Sequence, residues 1–370
     1  MNFGLFLMPI HPPEKPWQQM ISENTETIVL ADTLGFDEAW IGEHHTLITE
    51  PIPAPDLFIA KLFGITQKIR LGTGVVLLQF QDPVLLAHRI AVLDQLGEGR
   101  FNFGIGTGGQ SSEFELFGIK QADRHQRAME VMDIVLGMWR SEGKFRYRGK
   151  FFKVEGPDPR PDLGIGLHMK PYQTPHPPIA VAAGSPFSAT AKYAGSQGWI
   201  LMSSGITHPS LLWTIWDAYQ RGSPDADKSS DRKIWRVSRN IHVAETMEKA
   251  QKEADEHGMR RCIEGYAMPQ FKALMGSLSM FKSSEQMTDE EITFDWLINE
   301  TFIVGDPAFV IKRIKELYSR VGGFGTLLLQ LNDWDPPQIG LNSLKLFMSE
   351  VAPSIRGLGE GSVDYPKMKS

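Results

Sequence analysis

The chain has 370 residues, 42% of them hydrophobic, and 38 basic against 44 acidic side chains give a net charge of −6 spread along its length. That is enough apolar material for one large core, and the charge excludes a polybasic footprint for nucleic acid or an anionic membrane surface. One cysteine, Cys262, excludes an internal disulfide and a Cys-rich zinc site, and sets a reducing, cytoplasmic compartment as the expectation.

The first segment, Asn2–Met8, is a short apolar run with neither a basic start nor a small-residue cleavage site. It reads as a buried strand rather than a signal peptide. No stretch approaches the ~18 apolar residues of a membrane span, so a soluble protein is expected. A helix follows with Ile28, Ala31 and Leu34 on one face and Gly35 placed to end it. Phe36–Ile41 is the second strand, and Asp56 is placed to cap a helix over Leu57–Thr66. Ile69–Leu78 is the third strand. Asp82-Pro83 then supplies an N-cap and a proline at the first helical position for Val84–Leu96.

Arg100–Ile105 is the fourth strand, with a helix later over about Gln126–Trp139, and Ile179–Ala183 is the fifth, with a helix from Ser188. Trp199–Ser203 and Val237–Ala244 are the sixth and seventh, the latter followed by a helix over Glu245–His257. Asp306 caps Pro307–Leu317, which leads into the eighth strand, Thr326–Leu331. Eight strands alternating with helices predict a parallel sheet, and eight is the number that closes a (β/α)8 barrel. An open, doubly wound sheet is the competing arrangement. The whole chain, 1–370, reads as one α/β barrel domain with two insertions. The first, 141–178, is proline-rich with room for a hairpin; the second, 258–301, carries Met268, Phe271, Met275, Met280 and Phe281. Long insertions in a compact domain are usually functional loops, and the second is expected to act as a mobile lid or, alternatively, as a dimer surface.

Chemistry in a barrel sits where strands end. The second strand ends in Gly42-Glu43-His44-His45. An imidazole at that rim suits proton transfer near neutral pH; paired histidines are more often structural than catalytic, and it is the position at the strand end that favours chemistry. Neither an H-E-x-x-H pattern nor a cysteine cluster accompanies them, and no metal is expected. Gly72 and Gly74 lie inside the third strand, where glycine is costly unless a backbone must be approached closely. A flat ring over Gly74-Val75 is one such reason, and packing within the barrel is the other. Gly104, Gly106 and Gly109 have the G-x-G-x-x-G spacing, but no acidic residue follows at the end of a next strand, so a dinucleotide fingerprint is weak. Gly184, Ser185 and Ser188 precede a helix without an acid in its first turn, which suits a phosphate or ordinary serine capping.

Together Ala39-Trp40-Ile41-Gly42-Glu43-His44-His45, Leu71-Gly72-Thr73-Gly74-Val75, Asp82-Pro83, Gly99-Arg100-Phe101, Phe103-Gly104-Ile105-Gly106-Thr107-Gly108-Gly109 and Val304-Gly305-Asp306-Pro307 resemble the bacterial luciferase-like flavin monooxygenases. Within that family the limonene and diketocamphane monooxygenase-like members look most similar. The resemblance spans most of the chain and is weakest over 258–301. It implies a TIM barrel that receives reduced FMN (FMNH2) from a separate flavin reductase and combines it with O2 as a flavin 4a-hydroperoxide. It assigns the active-site place to His44, and a cis non-proline peptide facing the flavin ring to Gly74-Val75. Thr107 stands where luciferase has an arginine near the phosphate, so the phosphate would rely on N–H groups around Thr107 and Gly109 and on Gly184, Ser185 and Ser188. Gly106 stands in place of luciferase's reactive cysteine.

Phe6, Met8, Trp40, Phe80 and Met202 suggest an apolar pocket for a small hydrophobic substrate, unless they are core. A homodimer is the expected assembly. The rival readings are an F420-dependent hydride-transfer enzyme on the same fold, an NAD-dependent dehydrogenase and a non-catalytic flavin-binding relative.

Overall fold

The computed structural model describes residues 1–224 and 231–359, so the last residues of the expected 1–370 domain lie outside the described part. In chain order its strands are β1 (Asn2–Leu7), β2 (Glu38–Ile41), β3 (Arg70–Thr73), β4 (Val76–Leu77), β5 (Phe101–Gly106), β6 (Arg146–Arg148), β7 (Lys153–Glu155), β8 (Ile179–Ala183), β9 (Ile200–Ser203), β10 (Trp235–Val243), β11 (Ile303–Gly305) and β12 (Thr326–Gln330). β1, β2, β3, β5, β8, β9, β10 and β12 pair in parallel, each with the next, and β12 returns to β1. The expected eight-stranded barrel is therefore closed, and the open sheet is ruled out.

The helices form where the caps predicted them. Asp82 accepts hydrogen bonds at 2.9 Å from the N–H groups of Val84 and Leu85 and opens Pro83–Gly97. Asp306 caps Pro307–Val321 through the Phe309 N–H at 2.8 Å, and Gly35 ends Trp17–Leu34 in the left-handed conformation. Asp56 does not cap. Pro55 already occupies the first position of Pro55–Phe63, and Asp56 pairs instead with Arg89 at 2.9 Å. The third strand is also not continuous. It breaks into β3 and β4 at Gly74-Val75, whose peptide is cis.

Alternation along the strands sends one set of side chains to the surrounding helices and the other into the lumen. Leu5, Ala39, Leu71, Phe103, Val181 and Leu327 belong to the outer core. Trp40, Ala180, Ile200, Met202 and Leu328 fill the barrel's middle, with Phe6 and Val75 partly buried against them. Below Trp40 the floor is polar: Glu38 accepts from the Trp40 indole at 2.9 Å and from Arg236 at 3.2 Å. Glycine at 72 is set by this packing, since a Cβ there would stand 2.5 Å from the Trp40 ring.

The first insertion holds the hairpin β6–β7. The second is a packed layer rather than a loose loop. Its helices Met259–Cys262 and Phe294–Glu300 help to bury Phe281, Phe294, Leu297 and Phe302 in a separate apolar cluster. β11, not anticipated from the sequence, follows this layer and pairs with the end of β10.

Candidate active site

β2, β3, β5 and β8 are adjacent and parallel, so the segments after them share one rim of the barrel. That brings His44, Gly74, Val75, Thr107, Gly109, Gly184, Ser185 and Ser188 to the same end. Behind them, Gly42 lets the β2 segment cross the chain after β1, because a Cβ there would fall 2.2 Å from Met8 Sδ.

His44 is gripped from both sides. Its Nδ1 lies 3.1 Å from Glu113 Oε1 and its Nε2 lies 3.1 Å from Glu50 Oε2. Glu113, fully buried, also accepts the His45 N–H at 2.7 Å. Burial works against a charged imidazole, but the Glu50 charge and the Glu113 hydrogen bond outweigh it and raise the His44 pKa above its ordinary value. Burial likewise pushes the Glu50 carboxyl up, partly offset by His44. For Glu113 the burial penalty is overcome by the bonds from His44 and the His45 N–H, which hold its carboxyl below the usual range. Such an arrangement favours a proton on His44 and suits it to proton transfer.

His45 faces the other way. Its Nε2 lies 2.8 Å from Glu43 Oε1, and its ring meets Phe117 edge-on with centroids 4.9 Å apart. Phe80, expected in the pocket, stacks on Phe117 at 4.5 Å instead and fastens the helix Ser111–Phe117 to this loop. Trp40 and Met202 are core of the lumen, while Phe6 and Met8 remain partly accessible.

The mouth is lined unevenly. Gly74 and Gly106 offer no side chain, and Ala182 is exposed although it lies within a barrel strand. Both glycines also answer to packing: a Cβ at 74 would lie 3.0 Å from the Trp40 Cβ, and one at 106 would lie 2.4 Å from Val75 Cγ2. The opposite wall is polar, with the Asn332 amide 3.2 Å from Asn240 Oδ1 and Ser238 Oγ 3.5 Å from Gln330 Oε1.

At the rim after β8, Ser188 is buried and caps Ala189–Gln197 by accepting the Ala191 N–H at 3.3 Å. One of its lone pairs is thus engaged, and its O–H stays available to donate to a ligand. Ser185 is exposed, and Gly184 lies under Met280 of the second insertion, where a Cβ would meet Met280 Cε at 2.5 Å. Thr107 is half-buried, Gly108 takes φ +54°, and a side chain at Gly109 would meet open space. Among the described residues one trio, His11, Glu23 and Asp333, has metal-like spacing. The Lys15 ammonium already pairs with two of its members, 2.5 Å from Asp333 and 2.8 Å from Glu23.

Glu50 and Glu113 escaped the sequence reading. Glu113 lies 69 residues from His44 and meets it only through the barrel closure.

Residues 1–323 match the luciferase-like monooxygenase family, and the chain belongs to it. It is a flavin-dependent monooxygenase on a TIM barrel. It is 29% identical to a 4-hydroxyprotoasukamycin monooxygenase of Streptomyces nodosus subsp. asukaensis, over 98% of this chain and 94% of that protein. With limonene 1,2-monooxygenase of Rhodococcus erythropolis it shares 29% identity, over 96% of this chain and 87% of the other. Its fold matches the oxygenating constituent of 3,6-diketocamphane monooxygenase from Pseudomonas putida, a type II Baeyer–Villiger monooxygenase in complex with FMN, with a TM-score of 0.87 and 28% identity, covering 96% and 98% of the two chains.

Proposed function

We propose that the chain is the oxygenase component of a two-component system that takes FMNH2 from a separate reductase and inserts one atom of O2 into a small hydrophobic substrate. The observation that carries this is His44, set between Glu50 and Glu113 beside a rim floored by Gly74-Val75 and the exposed Ala182. A flat ring fits that floor, because no side chain larger than valine rises from those positions. The likeness to an oxygenating constituent crystallised with FMN supports both the flavin and the separate source of electrons.

Bound FMNH2 supplies the two electrons that activate O2, so that one oxygen enters the substrate and the other leaves as water. The chain's own part is to hold and to proton-manage. Gly74-Val75 carry the ring, Ser185, the Ser188 O–H and the N–H groups around Gly184, Thr107 and Gly109 hold the phosphate, and His44 delivers a proton at the reacting oxygen. The layer over Gly184 keeps water from the mouth. A hydrophobic terpenoid, cyclic ketone or aldehyde suits the Phe6, Met8 and Met280 side of the opening.

The test mixes the protein with photoreduced FMN and labelled O2 in the presence of a panel of cyclic terpenes and ketones. One labelled oxygen in a product supports the reading. Tight FMN binding with no labelled product, or oxygen-independent turnover with a deazaflavin, overturns it.

A further inference from the structure

The polar wall of the mouth belongs to β10 and β12, and its side chains are lumenal by register. Ser238 stands level with Leu328, which fills the barrel's middle, and Asn240 stands level with Gln330, one repeat of the pleat nearer the rim. The chain after β9 closes on the same wall, since a Cβ at Gly205 would lie 3.2 Å from Ser238 Oγ and 3.6 Å from Gln330 Oε1.

Within that wall Asn240 carries a donor without an acceptor. The residue is only 2% exposed. Its amide is oriented by Asn332, whose Nδ2 donates to the Gln330 backbone carbonyl at 3.4 Å and to the Asn240 side chain at 3.2 Å. A carbonyl oxygen only accepts, so the Asn332 atom that faces it is the nitrogen, and the Asn240 atom that faces this nitrogen is Oδ1. The Nδ2 of Asn240 therefore points away from Asn332 and, among the described residues, meets no acceptor. An amide donor taken out of water without a partner is costly, and an oxygen atom brought by a ligand would remove that cost.

The flavin is not placed to bring it. In the closed order of the barrel β10 stands opposite β3, with three strands between them on either side. The proposed floor for the ring, Gly74-Val75, follows β3 and so lies across the mouth from Asn240. Beside Asn240 the wall turns apolar, because Phe6 of β1 stands level with Gln330 and is partly accessible, as is Met8.

We propose that Asn240 is a specificity residue, whose Nδ2 donates a hydrogen bond to an acceptor oxygen on an otherwise apolar substrate lying against Phe6 and Met8. This rests on the reading of the mouth as the substrate site of a monooxygenase, and it narrows that substrate to molecules that already bear oxygen. A hydrocarbon would leave the donor buried and unpaired, which is the kind of mismatch a polar site rejects most strongly. One polar anchor beside one apolar wall also holds a small molecule in a single orientation, and so decides which of its carbons faces the flavin.

Binding is measured apart from turnover, on the protein with oxidised FMN. The probes are mono- and bicyclic ketones, each paired with the hydrocarbon of the same skeleton. Asn240→Leu, similar in size and without a donor, should weaken binding of the ketones about tenfold and leave the hydrocarbons unweakened. The infrared carbonyl stretch of a carbon-13-labelled ketone should move to lower wavenumber on binding, relative to its position in cyclohexane, and should lose that displacement in Asn240→Leu. Equal losses for both members of every pair overturn the assignment. So does a wild-type protein that binds no ketone, or binds it with the stretch at its cyclohexane position, and this arm needs no variant should Asn240→Leu fail to fold. Ketone binding through Asn240 with no labelled oxygen in any product would instead sink the monooxygenase proposal and leave the contact standing.

Discussion

The paired carboxylates around His44 tie its protonation to the fold. The family resemblance assigns His44 the active-site place; the structure adds that it bridges Glu50 and the buried Glu113, 3.1 Å from each. A group whose folded pKa lies above its unfolded value contributes stability that is fully present below the unfolded value and lost as pH rises through the folded one. For His44 the window opens at its ordinary value of 6.5 and extends upward. His44→Gln should therefore lower Tm most at pH 6 and progressively less as pH rises past the folded value, and it should cut turnover by about 10²–10⁴-fold. Thermal melts across pH 5.5–9 check the first part. A Tm difference that grows toward alkaline pH would show that His44 is not held as the cation. His45→Ala should instead cost more stability than rate, because its ring fills the space between Glu43 and Phe117.

Among the elements, the helix Ala189–Gln197 separates two roles that the sequence left merged. Ser188 caps it, so Ser188→Ala should lower stability by about 1 kcal/mol whatever its ligand role. Ser185 is exposed and makes no cap, and Ser185→Ala should weaken FMN binding by about 1–3 kcal/mol at unchanged Tm if it meets the phosphate. Titration calorimetry on both variants decides, and an unchanged Kd for Ser185→Ala removes it from the phosphate site. The second insertion calls for a different test. Its aromatic side chains close on one another rather than on the mouth, and its reach to the site runs through Met280 over Gly184 and Trp296 stacked on His208 at 5.6 Å. A Glu-specific protease should cut the exposed Glu285 in the free enzyme and be slowed when FMN is bound. Equal cleavage in both states would make the layer indifferent to the site.

What the sequence disclosed about these elements follows from how local each signal was. Asp82-Pro83 and Asp306-Pro307 announce their helices within four residues, and both caps form. β11 is three residues long and has no period to detect. The cis peptide at Gly74-Val75 was expected from family likeness, but the break in the strand there was not, since the valine and leucine residues on either side read as one strand. Glu50 and Glu113 carry no local mark at all, and only the closed barrel brings Glu113 to His44.

For the whole molecule, one exposed apolar surface among the described residues is the outer face of Pro83–Gly97. Leu85, Val92 and Leu96 are exposed there at 61%, 41% and 55%. They stand at i, i+7 and i+11, with Arg89 at i+4 completing one stripe about 16 Å long at 1.5 Å per residue. Arg89 bonds Asp56, which places the neighbouring Leu57, 71% exposed, on the adjoining helix Pro55–Phe63. An exposed apolar stripe at heptad spacing is the surface that another helix covers, and twofold pairing lets one patch cover its own copy. We propose that two chains associate through this face, each helix pair packing against its equivalent. The stripe lies on the barrel's flank rather than its rim, so dimerisation would leave both mouths free to meet a reductase. Sedimentation equilibrium should find a dimer for the wild-type chain and a monomer for Leu57→Glu/Leu85→Glu, with the far-ultraviolet circular dichroism of the two alike. A wild-type monomer at micromolar concentration, or a charged variant that stays dimeric, would remove this face as the interface between copies.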